Sequence, residues 1–527
     1  MAEAARSAML LLSMTGAECL LETLVANGIE VCFMNPGTSE MHFVSALDPV
    51  PAMRGVLCLY EGVCSGAADG YARMKSKPAA TLLHLGPGLG NGLSNFHNAR
   101  KARTPIVSIV GEHSTQHLKF DAPLTSDIAT FARSVSNEVR TVASPATIGC
   151  SVSETIAAAL TLPGQVAMLI VPADYSWSQA GSRGAVVKRP QRAMPSPAAI
   201  DDAARVLLSG RPAAMVLGGA TVNARGLEAA GKLAAATGVR VFADRAAPRL
   251  AAGRGFFETQ KIPYFPEDAS AALKGLAHMI LVEAKTPVSF FGYPDTPGSP
   301  VPADCAVSAL AELDEDGTGA LEALVEACGA GNASVVRNSA KAEVVRDGAL
   351  TLDSLGQTVA ALMPESAIVS DEMVSSAARV LAHLAKAPAH DQIPITGGAI
   401  GQGLPAAVGA AVACPDRKVI ALEADGSAMY SFQALWTMAR ENLDVTVVIF
   451  ANRRYRILDI EMKRTGAKGV GAKANDMLDL ERPDLDFVSL AKGLGVPAAR
   501  ATNAAEFAEQ FGAAMGERGP RLIEAVL

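Results

Sequence analysis

The stretch that most restricts the fold runs from residue 418 to 455, KVIALEADGSAMYSFQALWTMARENLDVTVVIFANRRY. It opens with an apolar, β-branched run, turns at Asp425-Gly426-Ser427, continues with a helical pattern and closes with a second apolar run, 445–450, just before Asn452. Strand, helix and strand in that order make a β–α–β unit, which requires a parallel sheet. The two strand ends bring Asp425 and Asn452 to the carboxyl edge of that sheet, where open α/β folds hold ligands. A carboxylate and an amide carbonyl, joined by phosphate oxygens and water, suit Mg²⁺ better than a soft metal. The pattern points to a metal and a diphosphate. On its own, an ordinary β–α–β with a turn aspartate and a strand-end asparagine accounts for the same residues.

The rest of the chain repeats this alternation. A helical pattern over 15–27 stops at Gly28, as a C-cap would, and a strand at 30–34 runs into Asn35-Pro36-Gly37-Thr38-Ser39, a tight turn at a sheet edge. After a strand at 55–59 comes YEGVCSGAADGYAR, a helix entered through Glu61 and built from small residues. Such residues admit a flat ligand or simply allow tight helix packing. A strand at 79–85 carries His84 and leads to Gly86-Pro87-Gly88-Leu89-Gly90-Asn91-Gly92, which reads as a sharp loop without dinucleotide spacing. The strand 105–110 is followed by His113 and His117, which read as solvent-facing loop residues.

From about residue 180 the basic, Pro-rich GSRGAVVKRPQRAMPSPAAI reads as a linker. Strands are expected next at 213–217, 239–243, 278–282 and 289–291, and the loop Gly218-Gly219-Ala220-Thr221 is a weak nucleotide signal. A further boundary near 338–347 precedes a helix at 351–362 and a strand at 367–369. The expected fold class is α/β, with three doubly wound parallel-sheet domains at 1–182, 195–340 and 348–527. A chain of 527 residues can give each its own core.

With a net charge of −7 and no dense Lys/Arg run, neither a nucleic-acid surface nor a polybasic membrane anchor is expected. Eight scattered cysteines without a C-x-x-C pair fit buried thiols in a reducing compartment. The apolar run 8–12 is too short for a bilayer and lacks a cleavage pattern, so the expected location is cytoplasmic.

Three stretches together resemble one family, the thiamin-diphosphate (ThDP) enzymes. YEGVCSGAADGYAR is similar to the segment with their activating glutamate, PITGGAIGQGLPAAVGA to their aminopyrimidine loop, and ADGS…AN to their Mg²⁺ motif. NPGTSE, ADGSAMYSFQALWT and AKGLGV extend the resemblance, over essentially the full length, to the branch of benzoylformate decarboxylase and the acetolactate synthase large subunit. Two departures stand out at the metal motif: Ala424 replaces the usual glycine, narrowing backbone freedom, and Ala451-Asn452 replaces Asn-Asn.

The resemblance implies ThDP and Mg²⁺ as cofactors. Asp425, Asn452 and the backbone carbonyl of Arg454 would hold the metal, and Ser375, Gly426, Ser427 and Tyr455 would contact the diphosphate. Gly398 would supply a carbonyl near the amino group, and Ile400 would support the bent cofactor. Glu61 would bond the pyrimidine N1′, His84 would move protons, and Thr38 would face the substrate carboxylate. The histidine that benzoylformate decarboxylase carries in its second domain is missing from VSFFGYPDTPG. Flavin-associated segments are not recognisable, so FAD is not expected. The implied function is a lyase acting on a small 2-oxo acid or aldehyde, decarboxylating it and able to carboligate. The alternatives are an acetolactate-synthase-like carboligase, a flavin-bearing oxidase and a non-catalytic ThDP-fold protein. The implied assembly is a homodimer or homotetramer in which Glu61 of one chain and Asp425 of another serve one cofactor.

Overall fold

The structure, a computed structural model, describes residues 14–467 and 471–527. The apolar run 8–12 lies outside the described residues. Among them, no helix is long and apolar enough to cross a membrane. Three mostly parallel sheets are divided between two compact units, Met1–Pro190 with Gly397–Pro415 and Ser431–Leu443, and Gln191–Thr396 with Asp416–Tyr430 and Asp444–Leu527.

The first unit carries a six-stranded, all-parallel sheet in the order Arg54–Leu57, Val31–Asn35, Ala79–Leu83, Ile106–Glu112, Val166–Pro172, Glu138–Thr141. Its central strands are buried along nearly their whole length, as expected when both faces are covered. On one face Cys19, Leu20 and Leu24 of the helix Gly16–Ala26 join Ile148, Val152 and Ile156 of the helix Ile148–Leu160 over Met34, Leu82 and Ile109. The helix Glu61–Lys75 packs against Leu85–Ala102 and against Gly403–Ala413, a helix buried at every position.

That last contact explains the small residues. A Cβ on Gly70 would lie 2.2 Å from the Ala406 carbonyl oxygen, and one on Gly409 would lie 1.9 Å from that of Ala67. Of the two readings of this composition, tight helix packing is the one observed.

The second unit holds the other two sheets. One is five-stranded and parallel, in the order Gln260–Lys261, Arg240–Ala243, Ala213–Leu217, His278–Val282, Ala306–Ala311. The other is seven-stranded, in the order Ala498–Ala501, Arg521–Val526, Val445–Ala451, Val419–Ala424, Ile368–Glu372, His390–Pro394, Leu250–Ala252; the last pairs antiparallel. The strands Val419–Ala424 and Val445–Ala451 are direct neighbours, paired from Val419↔Val445 to Ala424↔Phe450.

Two local expectations are corrected. Residues 289–291 are not a strand. Pro287, Pro294 and Pro297 lack ladder donors, Ser289 N–H closes a loop onto the Gly298 carbonyl at 2.8 Å, and the outer strand is Ala306–Ala311. The glycine run after His84 is not a loop, because the helix Leu85–Ala102 runs through it. Its glycines serve close approach: a Cβ on Gly86 would meet Ser126 Oγ at 1.8 Å.

Candidate active site

The expected site residues fall into two sets. Thr38, Glu61, His84, Gly398 and Ile400 belong to the first unit, and Ser375, Asp425, Gly426, Ser427, Asn452, Arg454 and Tyr455 to the second.

In the first unit, Glu61 begins a helix, where a carboxylate complements the helix dipole, yet it is only 7 % exposed. Asn91 Nδ2 donates to its Oε2 at 3.0 Å. Gly88 leaves room for the same carboxylate: a Cβ there would stand 3.1 Å from Glu61 Oε1 and 3.4 Å from His84 Cβ. The Glu61 carboxylate and the Cβ of His84 thus both stand beside one glycine of the Leu85–Ala102 helix.

His84 flanks the N-terminus of that helix, half-buried, with Nδ1 2.8 Å from Glu40 Oε2. The contact commits Nδ1 and orients the ring. Glu40 is 2 % exposed, and its Oε2 also accepts the Gly37 N–H at 2.8 Å. Burial pushes its carboxyl above the usual range, against the opposing pull of His84 and the Gly37 N–H. Gly111 makes the space, since a Cβ there would lie 1.6 Å from Glu40 Oε1. In the sequence this glutamate is only the end of NPGTSE, an acid that closes a turn, and nothing there ties it to a histidine two strands away. Thr38 is exposed and opens the short 3₁₀ turn that Glu40 closes. His117 is exposed and His113 half-buried, with their rings 5.6 Å apart.

The loop before Gly403 is fixed by the helix Leu85–Ala102. Asn98 Nδ2 donates to the Ala399 carbonyl at 2.7 Å, its Oδ1 accepts the Ala399 N–H at 3.1 Å, and Asn95 Nδ2 reaches the Gly401 carbonyl at 3.2 Å. Gly398, at φ 76°, supplies the left-handed conformation that the loop needs, and Ile400 is left half-buried rather than packed in a core.

In the second unit, Asp425 follows the strand Val419–Ala424 and is 2 % exposed. Its Oδ1 accepts the Gly426 N–H at 2.8 Å and its Oδ2 the Arg453 N–H at 2.6 Å. Asn452 Oδ1 accepts the Arg454 N–H at 3.0 Å. Arg453, at φ 56°, is a non-glycine residue in the left-handed region, the kind of backbone strain that collects at functional sites. Burial raises the Asp425 carboxyl above the usual range despite these N–H groups. Ala424 sits at φ −73°, ψ 144°, ordinary extended backbone, so replacing the glycine puts no strain on the turn. The Tyr455 ring lies over Gly426, where a Cβ would come 2.4 Å from Tyr455 Cε1. Ser427 is buried, and Ser375 sits half-buried in the 3₁₀ turn Val374–Ser376.

Among the described residues there is no cluster of three His, Cys, Asp or Glu side chains that could hold a metal. A metal here would depend on one buried carboxylate, an amide oxygen, a backbone carbonyl and its ligand's own oxygens. That donor set fits Mg²⁺, which keeps substrate phosphates and water in its shell.

The second unit also holds a carboxylate that sequence reasoning missed. Glu461, on the helix Arg456–Arg464, accepts the Tyr293 hydroxyl at 2.8 Å and 3.1 Å. Burial and this bond push Tyr293 up to about 12, so it stays a hydroxyl donor. Tyr293 lies in VSFFGYPDTPG, the stretch without the expected histidine.

Three α/β sheets, oxygen donors at a strand end and a buried glutamate at a helix start agree with the ThDP-type enzyme that the sequence resembles. Residues 14–133 match the model of the N-terminal TPP binding domain of thiamine pyrophosphate enzymes, and residues 374–525 that of the C-terminal TPP binding domain. The chain is 50% identical over 515 residues to the "Putative acetolactate synthase large subunit IlvX" of Mycobacterium tuberculosis, covering 98% of this chain and 99% of that one. Benzoylformate decarboxylase of Pseudomonas aeruginosa is 29% identical over 538 residues, 95% of this chain and 97% of its own. Among solved structures, the thiamine diphosphate-dependent 4-hydroxybenzoylformate decarboxylase of Rhodococcus jostii RHA1 superposes with a TM-score of 0.85 at 26% identity, over 97% of this chain and 98% of that one. The chain belongs to the thiamine pyrophosphate enzyme family.

Proposed function

We propose that the protein is a ThDP- and Mg²⁺-dependent lyase that decarboxylates a small 2-oxo acid without oxidation and can pass the product to an aldehyde acceptor. The buried Glu61, in the same unit as a His84 whose ring is held by Glu40, carries this reading, because the reaction needs one group to hold a proton on the cofactor and another to exchange protons with the substrate. Bound ThDP supplies the electron sink for breaking the bond between a carbonyl carbon and its carboxylate. Asp425, Asn452 and the Arg454 carbonyl would hold the metal; Ser375, Gly426, Ser427 and Tyr455 would hold the diphosphate; Gly398 and Ile400 would seat the pyrimidine. Glu61 would keep a hydrogen bond on the pyrimidine nitrogen. His84, oriented by Glu40, gives or takes a proton through Nε2, and the Thr38 hydroxyl orients the substrate carboxylate.

A panel of 2-oxo acids assayed with ThDP and Mg²⁺ tests the reading. We expect CO₂ and aldehyde from at least one substrate. Glu61→Gln should bind cofactor normally, by thermal shift, and lose about a hundredfold or more in turnover, the usual scale for a lost acid–base group. Cofactor binding without turnover on any substrate would instead indicate a non-catalytic protein.

The name of the 50% identical relative favours a second reading, carboligation. With pyruvate as sole substrate, acetolactate as the main product supports it and acetaldehyde does not. Under either reading the domains are those at 1–182, 195–340 and 348–527, and the enzyme is a cytoplasmic homodimer or homotetramer whose cofactors each lie between two chains.

A further inference from the structure

The five-stranded sheet of the second unit has a crevice where its winding reverses. From the central strand Ala213–Leu217 the chain moves to Arg240–Ala243 and Gln260–Lys261 on one side, then to His278–Val282 and Ala306–Ala311 on the other. In open α/β sheets the carboxyl ends of the two strands at this reversal flank the usual nucleotide site. Here they lead into Gly218-Gly219-Ala220 and Glu283.

Glu283 fills that place. It is 1 % exposed and held at φ 48°, a left-handed conformation unfavourable for glutamate. Its Oε2 accepts the Ala220 N–H at 3.0 Å and the Arg192 guanidinium at 3.0 Å, and its Oε1 accepts the Gly317 N–H at 3.0 Å. Gly317 is the first residue of the helix Gly317–Ala327, so this N–H is one that a helix start offers to anions. A Cβ on Gly219 would lie 2.2 Å from Glu283 Oε2, and one on Gly317 2.9 Å from Oε1. Arg192 also donates to the Leu313 and Glu315 carbonyls, at 2.9 Å and 3.0 Å, which ties the start of the unit across the crevice.

Two backbone N–H groups, an arginine and two glycines that clear a path for oxygen are the parts of a phosphate seat. We propose that Glu283 occupies this seat as an internal phosphate mimic, so that the crevice is closed to FAD, ADP and other nucleotides and acts as an anchor for Arg192. This inference does not depend on the proposed reaction.

The test uses full-length protein with ThDP and Mg²⁺ present throughout, so that any diphosphate seat at Asp425 is saturated. Wild-type protein titrated calorimetrically with FAD, ADP and inorganic pyrophosphate should show no saturable binding. Glu283→Gly suits the left-handed backbone and frees both N–H groups and Arg192. It should bind pyrophosphate at least about tenfold more tightly than wild type, a difference of about 1.4 kcal/mol. Adding Arg192→Leu should abolish that gain. A folded Glu283→Gly protein, with an unchanged circular dichroism spectrum, that gains no pyrophosphate binding overturns the proposal. Should Glu283→Gly fail to fold, the wild-type titration decides: saturable binding of FAD or ADP overturns the closed crevice, and no binding supports it.

Discussion

At Glu40, burial and hydrogen bonding pull in opposite directions, and burial prevails. Its native carboxyl therefore keeps a proton to higher pH than the same residue in the unfolded chain. As pH rises past the ordinary glutamate value, the unfolded state releases its proton first, so this group's contribution lowers stability until the native carboxyl also ionises. Glu40→Gln removes the titration. Urea midpoints of the variant should fall less than those of wild type between mildly acidic and neutral pH, while its turnover drops because His84 loses the carboxylate that fixes its Nδ1. A variant with wild-type pH dependence of stability would show that Glu40 is not the titrating group. The places of Glu61, Asp425 and Asn452, at a helix start and just beyond two strand ends, were legible in the sequence. Glu40 was not, since a buried acid three residues after a Pro-Gly turn reads like any residue that caps a turn. Glu461 and Tyr293 escaped for a related reason: their pairing joins a helix to a proline-flanked loop far away in sequence, and neither segment's pattern points to the other.

Helix contacts decided what the glycines mean. Period alone gave the helix from Glu61 and most strands, in two cases, Ala213–Leu217 and His278–Val282, to the residue. It gave the wrong answer after His84, because glycine disfavours helix as strongly as it favours turns, and only the close approach of Ser126 and Glu61 reveals why a helix tolerates so many. The 289–291 run failed in the reverse sense: aromatic residues suggested a strand, and the flanking prolines decided for a loop. At the crossing of Glu61–Lys75 with Gly403–Ala413 there is no slack, so Gly409→Ala should destabilise by about 1–3 kcal/mol, the scale of an overpacked core. Urea denaturation checks it. An unchanged midpoint would mean that the two helices can separate without loss.

For the whole molecule, the division of the site residues between two compact units bears on assembly. If each cofactor is shared between chains, an inactive Glu61→Gln chain mixed with an inactive Asp425→Ala chain should recover part of the activity after subunit exchange, because one site of each mixed dimer carries neither defect. No recovery, with exchange verified by mass, would mean that each site is built within one chain. The three-sheet architecture could be read from alternation alone. The attachment of 397–415 and 431–443 to the first unit could not, because it depends on helix packing that pattern does not record. The pairing of Val419–Ala424 directly with Val445–Ala451 carries one more implication. Neighbouring strands stand about 4.8 Å apart whatever joins them, so the ladder, not the intervening segment, sets the gap between the Asp425 and Asn452 backbones. Insertions or deletions between the two strands that spare the packed segment 431–443 should then leave that gap unchanged as such chains diverge. A search that counts residues from aspartate to asparagine will lose distant kin, and one that asks for two adjoining strands will keep them.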